Sequence, residues 1–522
     1  MKAKRPAIPA NLPLTIGLRR YLYMTAAVTG AAIMIVEILG AKMLAPYLGT
    51  SHFVWTAQIA VTLVALACGY YAGGRWVDRS PRLGRLYGAV AAAAVYLCFS
   101  VWLCEPVAYQ CLEFDLAVGS LLASAFLFFV PLGLLAMVGP FFIRMLTGSV
   151  ETVGGNVGRL TAISTGGSVV GTVLIGYVLI PFLANSITMY LTALALMAVA
   201  VGYFAGPARK VSKLTPVLLT VAIGAATGFA GVHGDKLHNE EVRELYRGNS
   251  NFGMLQVVEW THSERRCYLN DYLTQNTYDP KERKSTSMYN YMLHGLARAY
   301  TPRIDDALCI GMGIGIVPGE FAREGVRVDV VEINPAVLPV AVKYFDLEPK
   351  RLHIHFGDGR YFVSRCKKQY DTIILDAFLG DSSPSHLLTR EAFASMRRLL
   401  RTDGTLVINI FGAYRGEDVF FTASLAKTLG AVFKSVRIHQ AGTGNTFLVA
   451  SDQSSLQLRH KPDLDSVHPF VRQLVAQAFA TVASVNLDRG IVLTDDYNPV
   501  EFYDARNREL LRRQLAMQMK GE

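Results

Sequence analysis

Charge is scarce in this chain. Only 18% of its 522 residues are Asp, Glu, Lys or Arg, 52% are hydrophobic, and mean hydropathy is +0.29. That balance excludes an ordinary soluble protein, and the length allows more than one domain. Cysteine is sparse too. The seven, Cys68, Cys98, Cys104, Cys111, Cys267, Cys309 and Cys366, form no CxxC pair, and Cys309 falls inside an apolar run that reads as a buried strand. A disulfide framework is therefore not expected, and neither is a metal site. No aromatic-basic RNA motif or DNA-reading helix stands out, so the net charge of +10 does not point to nucleic acid. The basic residues cluster between apolar runs instead, as orientation signals and contacts to anionic lipid. The first apolar run lacks a cleavable signal pattern, because further hydrophobic sequence follows it.

What the first half does have is long apolar runs. Seven read as membrane spans, roughly 21–42, 53–74, 84–104, 116–142, 160–181, 186–205 and 215–233. They are rich in Gly and Ala ("GAAIMIVEILGAK", "GGSVVGTVLIGYVL"), which suits close helix packing where no hydrophobic force drives association. Pro140 and Pro181 are expected to kink or end helices. Lys2, Lys4, Arg5, Arg19 and Arg20 precede the first run, and Arg75, Arg79, Arg82 and Arg85 fill the second connection. Arg144 and Arg159 lie in the fourth connection, and Arg209, Lys210 and Lys213 in the sixth, while 105–115 carries Glu105, Glu113 and Asp115. The positive-inside rule puts the N-terminus in the cytoplasm, so seven crossings would put everything after 233 outside. Glu37, in the middle of the first run, is a candidate functional carboxylate or a structural one paired with Lys42 or Arg144.

The rest of the chain reads as globular. A small β-rich unit carries "GMLQVVEW" and "RCYLNDYLTQNTY", with a turn at Asn270-Asp271. Beyond it strands and helices alternate: strands 306–311, 327–333, 352–359, 370–378 and 405–411, helix 417–430, then strands near 433–439 and 445–451. The organisation expected is 1–238 as a polytopic membrane domain, 239–287 as a small β domain, and 288–522 as a doubly wound Rossmann-like domain. Ligands of such sheets bind at the carboxyl ends of strands, where the motifs fall. "CIGMGIGIVPG" places Gly311, Gly313 and Gly315 after the first strand, where a missing Cβ lets a ligand approach backbone. Glu332 ends the second strand, where a carboxylate can accept both ribose hydroxyls. Asp358, with Gly359, follows the third and can accept from an adenine amino group. Asp376 closes the fourth, where it could take a proton from a reacting amine. The loop lacks the third glycine of GxGxxG, since position 316 is Ile, and a carboxylate series on strands three and four is not needed for NAD. A sulfonium nucleoside fits better.

These residues resemble a family. "YLNDYLTQ", "MYNYMLHGL", "CIGMGIG", "VVEINP", "GDGRYFV", "DTIILDAFLGDSSPSHLLTREAF" and "LTDDYNPVE", which together span most of 250–502, resemble spermidine synthase. With "GYYAGGRWVDR" and "GRLTAISTGGSVVGTVLIGYVLIP" in the first half, the whole chain resembles the membrane-fused spermidine synthase-like proteins of bacteria. The resemblance implies a class I methyltransferase-like fold preceded by a small β domain, in a multi-pass protein of the bacterial inner membrane. It implies decarboxylated S-adenosylmethionine, or S-adenosylmethionine, as donor, with no metal. It implies a small-molecule amine or amphipathic acceptor, membrane lipid as surroundings, no nucleic-acid partner, and a homo-oligomer of the kind soluble relatives often form. Carried over singly, Glu332 would hold the ribose, Asp358 with Gly359 the adenine region, Pro384 the pocket wall, and Asp376 the amine's proton.

Departures from the family pattern fall on the amine side. Ile314 stands where an acidic residue would hold the donor's amino group. The tyrosine-histidine-glutamate-methionine stretch is Tyr289-Asn290-Tyr291-Met292, and the second aspartate becomes Leu379, with Asp381 displaced nearby. A dication needs carboxylate partners when it leaves water. Three readings follow: aminopropyl transfer with substitute carboxylates (Asp271, Asp381, Asp495, Asp496), methyl transfer to another acceptor, or a non-catalytic sensor or transporter. Both donors are made in the cytosol, which favours a cytosol-facing soluble half, whereas the charge pattern with seven crossings places it on the other side.

Overall fold

The structure, a computed structural model, describes residues 14–147, 150–206, 241–378, 384–412, 419–440 and 444–503, together with 222, 224 and 226. The chain divides into two compact units, 1–48 with 53–236 and 49–52 with 237–522.

Six helices of the first unit are long and apolar enough to cross a membrane: α1 (Ile16–Leu48), α2 (His52–Arg79), α3 (Leu83–Cys111), α4 (Leu116–Leu146), α5 (Val153–Phe182) and α6 (Asn185–Ala205). The seventh expected run, 215–233, lies almost wholly outside the described residues. Glycine sets the packing of α1 on α5. A Cβ at Gly167 would run into the carbonyl of Ala27, and one at Gly171 would lie 2.6 Å from the carbonyl of Ala31. Ser168 Oγ donates to the carbonyl of Gly30 across the same seam at 3.1 Å. Backbone thus meets backbone, as small-residue membrane interfaces require. The helix breaks are not quite where proline alone predicts. α4 carries a π turn at Ala125–Phe129 and is interrupted at Met137, three residues before Pro140. α5 has a π turn at Ile175–Leu179 and ends just after Pro181, consistent with a ring that cannot continue the hydrogen-bond ladder. Glu37 lies half-buried in α1.

The second unit opens with a five-stranded antiparallel sheet in sequence order: β1 (Val242–Ser250), β2 (Gly253–Trp260), β3 (Arg266–Asn270), β4 (Leu273–Asp279) and β5 (Lys284–Ser285). The hairpin between β3 and β4 turns on two residues, Asp271 (φ 47°) and Tyr272 (φ 63°), flanked by the pair Asn270–Leu273. Two positive φ values in a two-residue loop make a type I′ turn, whose twist matches the strands it joins. Asp271 steadies the turn by accepting from the backbone N of Met254 at 2.9 Å.

Helix α7 (Met288–Tyr300) leads into an eight-stranded sheet. Its strands are β6 (Asp306–Ile310), β7 (Arg327–Glu332), β8 (Leu352–Phe356), β9 (Tyr370–Leu375), β10 (Leu400–Phe411), β11 (Ser435–Gln440), β12 (Asn445–Ser451) and β13 (Val482–Ala483), in the order β13-β11-β12-β10-β9-β6-β7-β8. β6 to β10 pair in parallel, and β12 runs antiparallel between β10 and β11. The crossovers include α8 (Ile316–Arg323), α9 (Val337–Tyr344), α10 (Gly359–Arg365), α11 (Arg390–Leu399) and α12 (Phe420–Gly430), with α13 (Pro469–Ala480) near the end. "DALCI" and "VDVV" are buried along their whole length, as strands covered on both faces must be. This is a doubly wound, methyltransferase-like Rossmann sheet. Chain progression reverses between β6 and β9, and at such a switch point the strand ends part to leave a crevice. β1 and α13 were not anticipated from the sequence.

Candidate active site

A cavity of about 480 Å³ opens at that switch point, roofed by the small β sheet. It falls within the usual size for a small-molecule site. The glycine loop forms its floor. Gly311 (φ +94°) and Gly313 (φ +51°) both line it, in a conformation L side chains rarely adopt. A Cβ at Gly311 would strike the carbonyl of Asp376, and one at Gly313 would lie 2.8 Å from Asn276 Oδ1. Gly315 does something different. It precedes α8 at φ +82°, away from the cavity, with the Leu347 side chain pressed where its Cβ would be.

Glu332 ends β7 and clamps the loop from below. Its Oε2 accepts from the backbone N of Met312 at 2.9 Å and its Oε1 from the backbone N of Asn334 at 2.8 Å. It is 8% exposed, and burial raises its pKa against those two bonds. Glu332 also lines the cavity, where a carboxylate has further lone-pair capacity to offer a ligand. Asp358 caps α10, accepting from the backbone N of Tyr361 at 2.8 Å, and its other oxygen meets His386 Nε2 at 2.9 Å. Gly359, Pro384 and His386 complete this end of the wall.

Asp376 leaves β9 beside Gly311, its backbone N donating to the carbonyl of Ile310 at 3.0 Å. It is partly exposed where it lines the cavity and otherwise surrounded by protein. Burial pushes its pKa from 3.8 up to about 6, opposed by a 3.0 Å hydrogen bond from Asn409 Nδ2. A carboxyl held near neutrality is suited to accept a proton.

The far end is built from neutral groups. Tyr289 donates to the carbonyl of Gln275 at 2.5 Å and accepts from the Asn276 amide. Burial, and then the charge of Asp376, raise its pKa. Asn290 is 4% exposed and donates to Ser285 Oγ at 2.9 Å, and Tyr291 Oη donates to the carbonyl of Ser285 at 2.7 Å. Phe470, Val471 and Leu474 of α13 close the wall.

Several expectations are altered by this geometry. Ile314 is 1% exposed within the hydrophobic core and is not a wall residue, so it does not face a ligand. Asp271, Asp495 and Asp496 do not line the cavity. Asp271 is spent on its turn, and Asp495 on Arg360 at 2.8 Å and Thr389 Oγ1 at 2.6 Å. Asp381 lies outside the described residues. Among the polar wall residues that were missed are Asn276, His386, Asn409 and Asn445. Of these only Asn409 left a trace, a polar residue near the end of the otherwise apolar "TLVINIF".

Among the described residues the wall carries three carboxylates, Glu332, Asp358 and Asp376, one imidazole, and neither lysine nor arginine. That field suits a cationic ligand and opposes a pyrophosphate. Among the described residues no group of three or more His, Cys, Asp or Glu is placed to hold a metal ion.

Residues 286–439 match the family described as spermine/spermidine synthase domain. A polyamine aminopropyltransferase of Vibrio vulnificus is 29% identical over 264 residues, covering 47% of this chain and 86% of that one. An N-terminal histidine N-methyltransferase of Emericella nidulans is 36% identical over 151 residues, covering 28% of this chain and 26% of that one. The crystal structure of spermidine synthase from Thermotoga maritima aligns with 46% of this chain and 84% of its own, at 19% identity and a TM-score of 0.35.

Proposed function

Since residues 286–439 carry a spermine/spermidine synthase domain, we propose that this protein is a membrane-bound transferase using a sulfonium adenosyl donor, with aminopropyl transfer from decarboxylated S-adenosylmethionine to an amine as its reaction. The observation that carries this is the anionic cavity with Asp376 packed against the glycine loop. In it Glu332 would accept from the ribose, Asp358 and Gly359 would border the adenine, Pro384 would line the nucleoside, and Gly311 and Gly313 would let the donor lie on backbone. Tyr289 and Asn290 would face the acceptor.

The chemistry asked of the chain is modest. A neutral amine attacks the carbon bonded to sulfur, the new C–N bond forms as the C–S bond breaks, and the electron pair stays on sulfur as a neutral thioether. The ammonium so formed gives its extra proton to Asp376. Positioning supplies most of the acceleration and deprotonation the rest. The neutral amides at the acceptor end favour an amine with one charge over a diamine, because a second ammonium there would lack a carboxylate partner among the described residues.

One observation favours a second reading, methyl transfer from S-adenosylmethionine. The residue at the loop position of the family acid, Ile314, is turned into the core, so the donor's amino group gains no anion from it. Catalysis also places the soluble half on the cytosolic side with the N-terminus, which requires that the run 215–233 does not cross. Donor binding decides between the chemistries. The full-length protein should bind decarboxylated S-adenosylmethionine more tightly than S-adenosylmethionine, and turnover should vanish in Asp376→Asn while donor binding stays. The reverse donor preference supports methyl transfer. Binding of neither donor nor of methylthioadenosine sinks both.

A further inference from the structure

Behind Asp376 stands a pair of buried amides. Asn409 Nδ2 donates to Asp376 Oδ1 at 3.0 Å, and Asn445 Nδ2 donates to Asn409 Oδ1 at 3.0 Å. The asparagines are 4% and 8% exposed. They sit on neighbouring antiparallel strands, where Asn445 pairs with Phe411, two residues beyond Asn409, so both project from one face of the sheet.

An asparagine amide has two ends of opposite character, and a half-turn exchanges them. With its NH2 toward Asp376, Asn409 stabilises the carboxylate. With its carbonyl there it would stabilise the carboxylic acid instead. Nothing in Asn409 itself chooses between the two. Asn445 does, by placing a donor on the Asn409 carbonyl.

We propose that Asn445 is a positioning residue that locks the Asn409 amide with its NH2 facing Asp376, holding that carboxyl in its proton-accepting form. The inference rests on the reading of Asp376 as the proton acceptor. The other titratable groups around Asp376 do not do this work. Glu332 and Asp358 are acids on the same wall, His386 is engaged by Asp358, and the Tyr289 phenol and the Cys309 thiol are neutral groups whose own ionisation the charge of Asp376 opposes.

Two substitutions test the lock. Asn445→Leu removes the donor without adding charge. Asn445→Asp, nearly the same shape, accepts from the Asn409 NH2 and turns its carbonyl toward Asp376. The first measurement needs no ligand: the effect of Asp376→Asn on melting temperature is followed from pH 4 to 9, with and without each Asn445 substitution. In the parent protein that effect should grow from about pH 4 and level off near pH 6. Asn445→Leu should raise the pH at which the effect levels off by roughly half a unit to one unit and Asn445→Asp by more, one unit being tenfold in the ionisation constant. The acidic limb of kcat/KM should move by the same amount. A levelling-off that stays in place in both variants overturns the lock. Should Asp376→Asn keep full turnover while the levelling-off moves, the lock stands and the role of Asp376 as proton acceptor is what fails.

Discussion

Replacing Asp376 by asparagine should make the protein more stable as it makes it inactive. The carboxyl titrates near 6 in the folded protein instead of its ordinary 3.8. A group held above its unfolded value is easier to fold protonated than ionised. Its cost is therefore absent below about pH 4, grows between 4 and 6, and is complete above 6. At 1.36 kcal/mol per pH unit the full cost is about 3 kcal/mol, less where the cavity admits water to the carboxylate. Asparagine removes the charge, keeps the shape, and still offers a carbonyl to Asn409 Nδ2. For a unit of this size about 3 kcal/mol corresponds to roughly 5–8 °C in melting temperature. The assay is thermal unfolding of the purified full-length protein across pH 4 to 8, alongside turnover. The variant and its parent should melt together at pH 4 and separate as pH rises, with the variant higher. Equal melting at every pH, or a lower value for the variant at pH 8, would refute the argument that burial perturbs Asp376.

Other expectations are simpler. Gly311→Ala puts a methyl group against the Asp376 carbonyl at a backbone φ of +94°. It should abolish nucleoside binding in a calorimetric titration and lower stability by about 2–4 kcal/mol, since neither atom has room to yield. Gly167→Leu drives a side chain into the Ala27 carbonyl across the seam between α1 and α5. The purified protein should melt several degrees lower in detergent, whereas Gly154→Leu, which meets nothing within 4 Å, should be neutral.

Much of this site was legible in the sequence because its residues mark the ends of regular elements. Gly311, Glu332 and Asp376 close strands buried almost throughout, which makes their runs easy to place, whereas Asp358 follows the mostly exposed edge strand β8 and was marked only by its Asp-Gly pair. What the spacing could not show was direction. Gly311 and Gly315 look alike in sequence, yet one makes room for Asp376 and the other for Leu347. Ile314 sits in a loop with no side-chain period, so its turn into the core had no local signature. β1 was hidden by its own charges: Glu244 and Arg247 pair with each other on a half-buried strand, which breaks the alternation expected of a sheet face. The asparagine pair lies 36 residues apart and meets only through the antiparallel insertion of β12 beside β10. Neither local pattern nor composition carries that information.

The close approach of Gly311 to the Asp376 carbonyl also bears on how this protein could diversify. Loop and acid are joined through main chain, so the distance between them is indifferent to most substitutions around them. The groups at the other end, Asn276, Tyr289 and Phe470, come from the small β sheet, α7 and α13, outside the parallel strands that carry the loop and the acid. On the proposed function, donor handling and acceptor choice would thus be separable modules. A change of acceptor would then need new side chains on three peripheral elements, and the reacting geometry would pass unaltered from one specificity to the next.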